Sequence, residues 1–139
     1  MKNSFTMLEL IFVIVVIGVL ASVALPRMFS GINEAEIAKI KSNIATVRAA
    51  IATKYGKNII QGKDICPQLE SINDTDNKYL FENILTYPIK KSLKSVKWDG
   101  NGSDYNVSFN GNIITFKYKN TTTENCKFEC QTNCDIIDE

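Results

Sequence analysis

The sequence predicts an α+β fold: a long N-terminal helix packed on a small C-terminal antiparallel sheet. Three observations predict it. Residues 5–25 are apolar but for Thr6, Glu9 and Ser22, Ile37 to Tyr55 carry apolar side chains at steps of three and four, and "YNVSFNGNIITFKYK", residues 105–119, alternates around an Asn-Gly pair. The first pattern is that of an unbroken apolar helix, the second of a helix with one buried face, and the third of a hairpin.

The chain has 139 residues, room for one ordinary core plus an appendage. Sixteen basic and fifteen acidic side chains nearly cancel, so no broad attraction to nucleic acid or anionic lipid follows. Histidine is absent, which excludes a Ser-His or Cys-His nucleophile and a His-bound metal. The polar part has no cleft motif built on Lys, Asp or Glu either, so the expectation is a protein that is not an enzyme and takes no cofactor or small-molecule substrate.

At 1.5 Å per residue a helix over 5–25 is about 30 Å long and matches a hydrocarbon core. Lys2 precedes it and Arg27 follows, a weak charge bias for a cytoplasmic N-terminus. Two plainer readings compete: an ordinary single-span anchor, and a secretory signal peptide cut after Ser22-Val23-Ala24, which would release a periplasmic binding domain starting near Leu25. Against the signal peptide stand the short basic region and the acid at the head of the apolar run. An ionised carboxylate in lipid is costly unless neutralised or paired, and no Lys or Arg lies within a helical turn of Glu9.

"SFTMLELIFVIVVIGVLASVALPR", residues 4–27, resembles the N-terminus of type IV pilins and type II secretion pseudopilins. The shared features are a short basic leader, Phe, an acid four positions on, a long apolar helix and a Pro after it. The resemblance covers the first fifth of the chain and implies cleavage between Ser4 and Phe5 by a prepilin peptidase, with N-methylation of Phe5. Where the family prefers Gly before the cut this chain has Ser4, also small. Glu9 would be the fifth residue of the cleaved chain, and its implied partner is the methylated Phe5 amine of a neighbouring subunit. The plainer alternative is its own Phe5 amine, since groups four apart meet on a helix.

Pro26 lacks an amide donor and is expected to kink the helix. Beyond it Ile37, Ile40, Ile44, Val47, Ile51 and Tyr55 fall within a stripe of roughly 80°, opposite Lys39, Ser42, Thr46 and Thr53, which predicts an amphipathic helix over about 27–56. Its stripe reads as core rather than as a partner surface. A connecting region follows over 57–94, with a short helix expected over 77–85 after Asp74, Thr75 or Asp76 and before Pro88. "SVKWD", residues 95–99, reads as a strand with Val96 and Trp98 on one side. Across an Asn110-Gly111 turn Val107 faces Ile114 and Tyr105 faces Phe116, giving one apolar sheet face. The expected division is therefore a leader over 1–4, an anchoring and assembly helix over 5–25, and a periplasmic domain over 26–139 that ends in a sheet and Cys-rich tail over 95–139.

Cys66, Cys126, Cys130 and Cys134 suit an oxidising compartment. Three pairings are possible; one long bridge from Cys66 plus one local bridge is favoured, because closing a long loop restrains the unfolded chain more. A four-thiolate zinc site is the rival. "DGNGSD", residues 99–104, resembles the opening of a calcium loop, making Asp99, Asn101, Ser103 and Asp104 calcium candidates; with Asp104 where Gly belongs and Asn110 where Glu belongs, a solvated turn is preferred. The same stretch and "DYNVS" resemble an acidic glycosylation sequon, with Asn101 as the accessible acceptor.

The resemblance implies a structural subunit: a pseudopilin of a type II secretion or DNA-uptake system, with a surface type IV pilus as the alternative. Its implied partners are other pilin-like subunits in a homo- or hetero-polymer, the inner membrane, the prepilin peptidase and the assembly platform. Nucleic acid would be met only indirectly, in DNA uptake.

Overall fold

The computed structural model describes residues 6–71, 78–92, 95–121, 123 and 126–139, and the side chains among these except 24–32. The chain divides into two compact units, Met1–Ala35 and Glu36–Glu139. Helix α1, Met7–Ile60, contributes to both.

In the second unit α1 buries Ile40, Ile44, Val47 and Ile51, with Ile37 and Tyr55 partly buried beside them. The helix runs past the expected end near Gly56. Nothing crowds Gly56, and the stop comes instead at Gly62, whose φ of 74° lets its N–H reach Ile59 O at 2.9 Å while Lys63 N–H reaches Asn58 O at 2.9 Å.

The stripe is covered by a four-stranded antiparallel sheet ordered β3-β4-β5-β6: β3 Val96–Gly100, β4 Asp104–Phe109, β5 Asn112–Lys119 and β6 Lys127–Thr132. Asn110 and Gly111 both have positive φ, 49° and 77°, as the two-residue hairpin turn requires. Val107 pairs with Ile114 and Tyr105 with Phe116, and all four are buried. Strand β6 was not expected within the Cys-rich tail. Its buried face is thin, Phe128 with the partly buried Cys130, and pairing with β5 slips by one residue at Gln131, which breaks the two-residue alternation.

The helix expected over 77–85 is not formed. A two-residue strand, β1 Tyr79–Leu80, pairs with β2 Ile89–Lys90, and a turn follows Phe81. Phe81 has φ 65°, a left-handed conformation that a helix excludes and that a bulky side chain rarely adopts. Its ring repays that strain in the core, stacking on Tyr105 at 4.7 Å and meeting Trp98 and Phe128 edge-on. Asp74, Thr75 and Asp76, expected to open that helix, lie outside the described residues.

The cysteines form two bridges, Cys66–Cys126 and Cys130–Cys134, so no thiolate is left for the rival zinc site. The first closes a loop with a sequence separation of 60, tying the start of the connecting region to the start of β6. Hydrophobic burial carries the energetics. Each large core side chain contributes about 1.5–3 kcal/mol, against about 0–1 kcal/mol for an exposed pair such as Lys41–Asp138.

Gly100 is the position with no space to spare. It pairs with Tyr105, and a Cβ there would lie 2.2 Å from the Tyr105 ring. Gly100→Ala is expected to lower stability by about 1–3 kcal/mol, read as a lower thermal midpoint; an unchanged midpoint would show that the ring moves aside freely.

Candidate functional site

In the first unit α1 begins after Thr6, whose Oγ1 accepts the Glu9 N–H at 3.3 Å, while Thr6 O accepts the same N–H at 3.1 Å and that of Leu10 at 3.3 Å. Thr-x-x-Glu is the spacing of a capping box, and an acid in the first turn also faces the positive end of the helix dipole. The spacing is legible in the sequence and gives Glu9 a role within its own helix.

Every described side chain over residues 6–23 is exposed. Met7 and Leu8 are 84% and 81% exposed, and the less open positions such as Val13 and Val16 still show 44% and 40%. Surfaces of this kind, apolar on all sides, are rarely left in water; they mark contact with lipid or with other chains. Ser22 is the polar exception near the far end, and its hydroxyl donates to Val19 O at 2.7 Å, turned back onto its own helix. Glu9 stands one turn into this surface.

Among the described residues no stretch of helix is both long and apolar enough to cross a membrane. Phe5 and the side chains of Ala24 and Leu25, at the two ends of the expected span, lie outside the described residues. So do Ser4 and Phe5, the expected cleavage pair. The backbone is helical through position 26, and the Pro26 side chain, with its expected kink, belongs to the undescribed set.

The calcium candidates form a turn instead of a cradle. Asn101 Oδ1 accepts the N–H groups of Ser103 and Asp104 at 3.1 and 2.9 Å, leaving the oxygen committed to its own loop. Asp99 and Asp104 are exposed at the adjoining strand ends, and no metal-ligating cluster of three or more His, Cys, Asp or Glu occurs among the described residues. Asn101 itself is exposed at the tip of this turn.

Two polar groups that sequence reasoning missed hold the second unit together. Glu70 accepts the strained Phe81 N–H with both carboxylate oxygens, at 3.2 and 3.1 Å, and the Tyr105 hydroxyl at 3.0 Å. Burial pushes its carboxyl above the usual range, an effect that the Phe81 and Tyr105 hydrogen bonds and the nearby Lys91 charge only partly offset. Burial likewise raises Tyr105, and pushes Tyr118 up to about 12 while its hydroxyl donates to Pro67 O at 2.8 Å. Arg48 reaches from α1 to the C-terminal segment. It donates to Phe128 O through Nε at 2.9 Å and holds Glu139 with both terminal nitrogens, which keeps the Glu139 carboxyl below its usual range. Glu70 meets residues 11 and 35 positions away and Arg48 residues 80 and 91 away, separations that leave no local pattern.

Comparison with known proteins finds similarity to the type IV major fimbrial protein FimA of Dichelobacter nodosus, 31% identical over 67 residues, which cover 45% of this chain and 43% of FimA. The type IV narrow pilus major component PilA5 of Thermus thermophilus is 42% identical over 59 residues, 41% of this chain and 51% of PilA5. The chain thus spans about half the length of the curated relatives it matches. No family model matches. No solved structure matches. Together with the long helix and small antiparallel sheet, these similarities support a type IV pilin-like family.

The raised Glu70 carboxyl has a definite sign in stability. Between its unfolded and folded values the folded chain holds the extra proton, so this group stabilises at low pH and that contribution is lost as pH rises. Glu70→Gln removes the titration. Its thermal midpoint relative to the unsubstituted chain is expected to rise from about pH 4 to pH 7, and a flat or falling difference would contradict the assignment.

Proposed function

We propose that this type IV pilin-like chain is a structural subunit of a filament, a pseudopilin of a type II secretion or DNA-uptake system, stored in the inner membrane before assembly. The observation that supports it most is the exposed apolar surface over residues 6–23 with one carboxylate, Glu9, set into it. Lipid accounts for the apolar side chains but not for the acid. In the stored state the N-terminus is cytoplasmic, residues 5–25 span the bilayer and the domain that follows is periplasmic.

Cleavage between Ser4 and Phe5 by a prepilin peptidase creates the missing counter-charge. The freed, methylated amine of Phe5 would stand four residues before Glu9 in the sequence. A stagger of about 5.4 Å between parallel helices brings it to the Glu9 of an adjacent copy. Two unit charges 4 Å apart attract by about 4 kcal/mol at an effective dielectric of 20, against about 1 kcal/mol in bulk water. The contact therefore gains its strength from the apolar surroundings, and an unprocessed chain, lacking the amine at Phe5, cannot make it. Catalysis has no part in this reading.

A second reading, a subunit of a surface type IV pilus, is favoured by the relatives themselves, a fimbrial protein and a pilus component. Imaging at native expression separates the two: long surface fibres containing this chain mean a pilus, and fibre-free cells that lose secretion or transformation on its deletion mean a pseudopilus. Under either reading Glu9→Ala is expected to insert in the membrane normally. Its sedimentable polymer should fall about tenfold or more, the equivalent of losing about 1.4 kcal/mol per contact. Polymer at the unsubstituted level would remove the charge pairing from the account.

A further inference from the structure

The second unit carries an exposed aromatic knob and an aromatic-sized hole on opposite flanks of the same helix. Tyr87 stands 89% exposed on the turn that borders Thr46, Ala49, Ala50 and Thr53 of α1. An aromatic ring held this far into water offers a large apolar area at low entropic cost and is typical of contact surfaces. On the other flank a cavity of about 350 Å³ opens between α1 and β6. Ile51, Ala52, Cys126 and Phe128 supply its apolar lining, and Arg48, Lys127 and Glu129 its charged lining.

We propose that Tyr87 of one copy seats in the hole between α1 and β6 of a second copy, forming the lateral contact of the polymer. The chemistry is complementary part by part. The apolar lining accepts the ring, the Arg48 and Lys127 cations meet its electron-rich face, and the Glu129 carboxylate, which also pairs with Lys119 at 2.9 Å and Lys127 at 3.9 Å, accepts a hydrogen bond from the phenol O–H. Arg48 is pinned by Phe128 O and Glu139, so its planar group stands ready as one wall. The size of the hole falls at the lower end of ligand clefts, with room for one aromatic side chain. Knob and hole face away from each other across one helix, so a chain cannot satisfy itself. Among the described residues each copy presents this knob and this hole on opposite flanks, which allows the head-to-tail arrangement that propagates into a helical filament when the rotation does not close. This names the partner surface within the filament reading and rests on it.

The test replaces Tyr87 in the full chain with the photo-reactive analogue benzoylphenylalanine and irradiates native polymer made from isotopically mixed copies. Cross-links from position 87 to peptides containing residues 48–52 or 126–129 of a different copy are expected. In parallel, Tyr87→Ala should reduce sedimentable polymer by about tenfold or more, with the thermal midpoint of the membrane-stored chain unchanged, while Tyr87→Phe keeps most of the polymer. Polymer carrying the analogue whose cross-links fall only within one copy, on the Tyr87 flank of another, or on lipid would overturn the contact and leave the filament reading intact. So would full assembly of Tyr87→Ala. An unsubstituted chain that forms no polymer in its native membrane would overturn both.

Discussion

An apolar helix that neither core nor water can satisfy is the constraint from which the rest follows. All described side chains over residues 6–23 are exposed, and a carboxylate stands among them. Folding of this chain alone gives that surface no cover. The helix itself is internally sound, opened by Thr6 and with Ser22 turned back onto its own backbone, so what it lacks is surroundings. In the proposed reading lipid would satisfy the apolar part, and assembly with other copies would satisfy both parts once a cation is present. The proposed cleavage is therefore more than trimming: it decides when the acid finds its partner.

The second unit is fastened at several separate points. Its core is a single cluster in which four isoleucine and valine side chains of α1 meet the aromatic face of the sheet, with Phe116 and Phe128 stacked at 5.2 Å. The described part of the connecting region is tied down at separate points: Cys66 to Cys126, Glu70 to Phe81 and Tyr105, and Tyr118 to Pro67. The C-terminal segment is fastened in the same way, by Cys130–Cys134, by buried Ile137 and by the Arg48 clasp on Glu139.

Where a local period governs structure, the sequence was readable. The three-and-four spacing from Ile37 to Tyr55 names the helix face that is buried, and Asn110-Gly111 alone sets the register that pairs Val107 with Ile114. The failures share one cause. The segment over 77–85 has helical composition, but Phe81 is drawn into the aromatic cluster in a left-handed conformation held by Glu70, a contact across 11 residues that no local pattern encodes. Strand β6 hid behind a slipped pairing and a half-polar face. Glu70 and Arg48 were invisible for the same reason. The Thr6 cap differs, since its three-residue spacing to Glu9 is a local pattern.

The most direct test of the account is the identity of the mature N-terminus, determined by mass spectrometry on material taken from the native membrane or filament. The account predicts a chain that begins at N-methylated Phe5 and keeps the apolar helix. Material that begins at Met1 within assembled filaments, or a water-soluble chain that begins near Leu25, would contradict it.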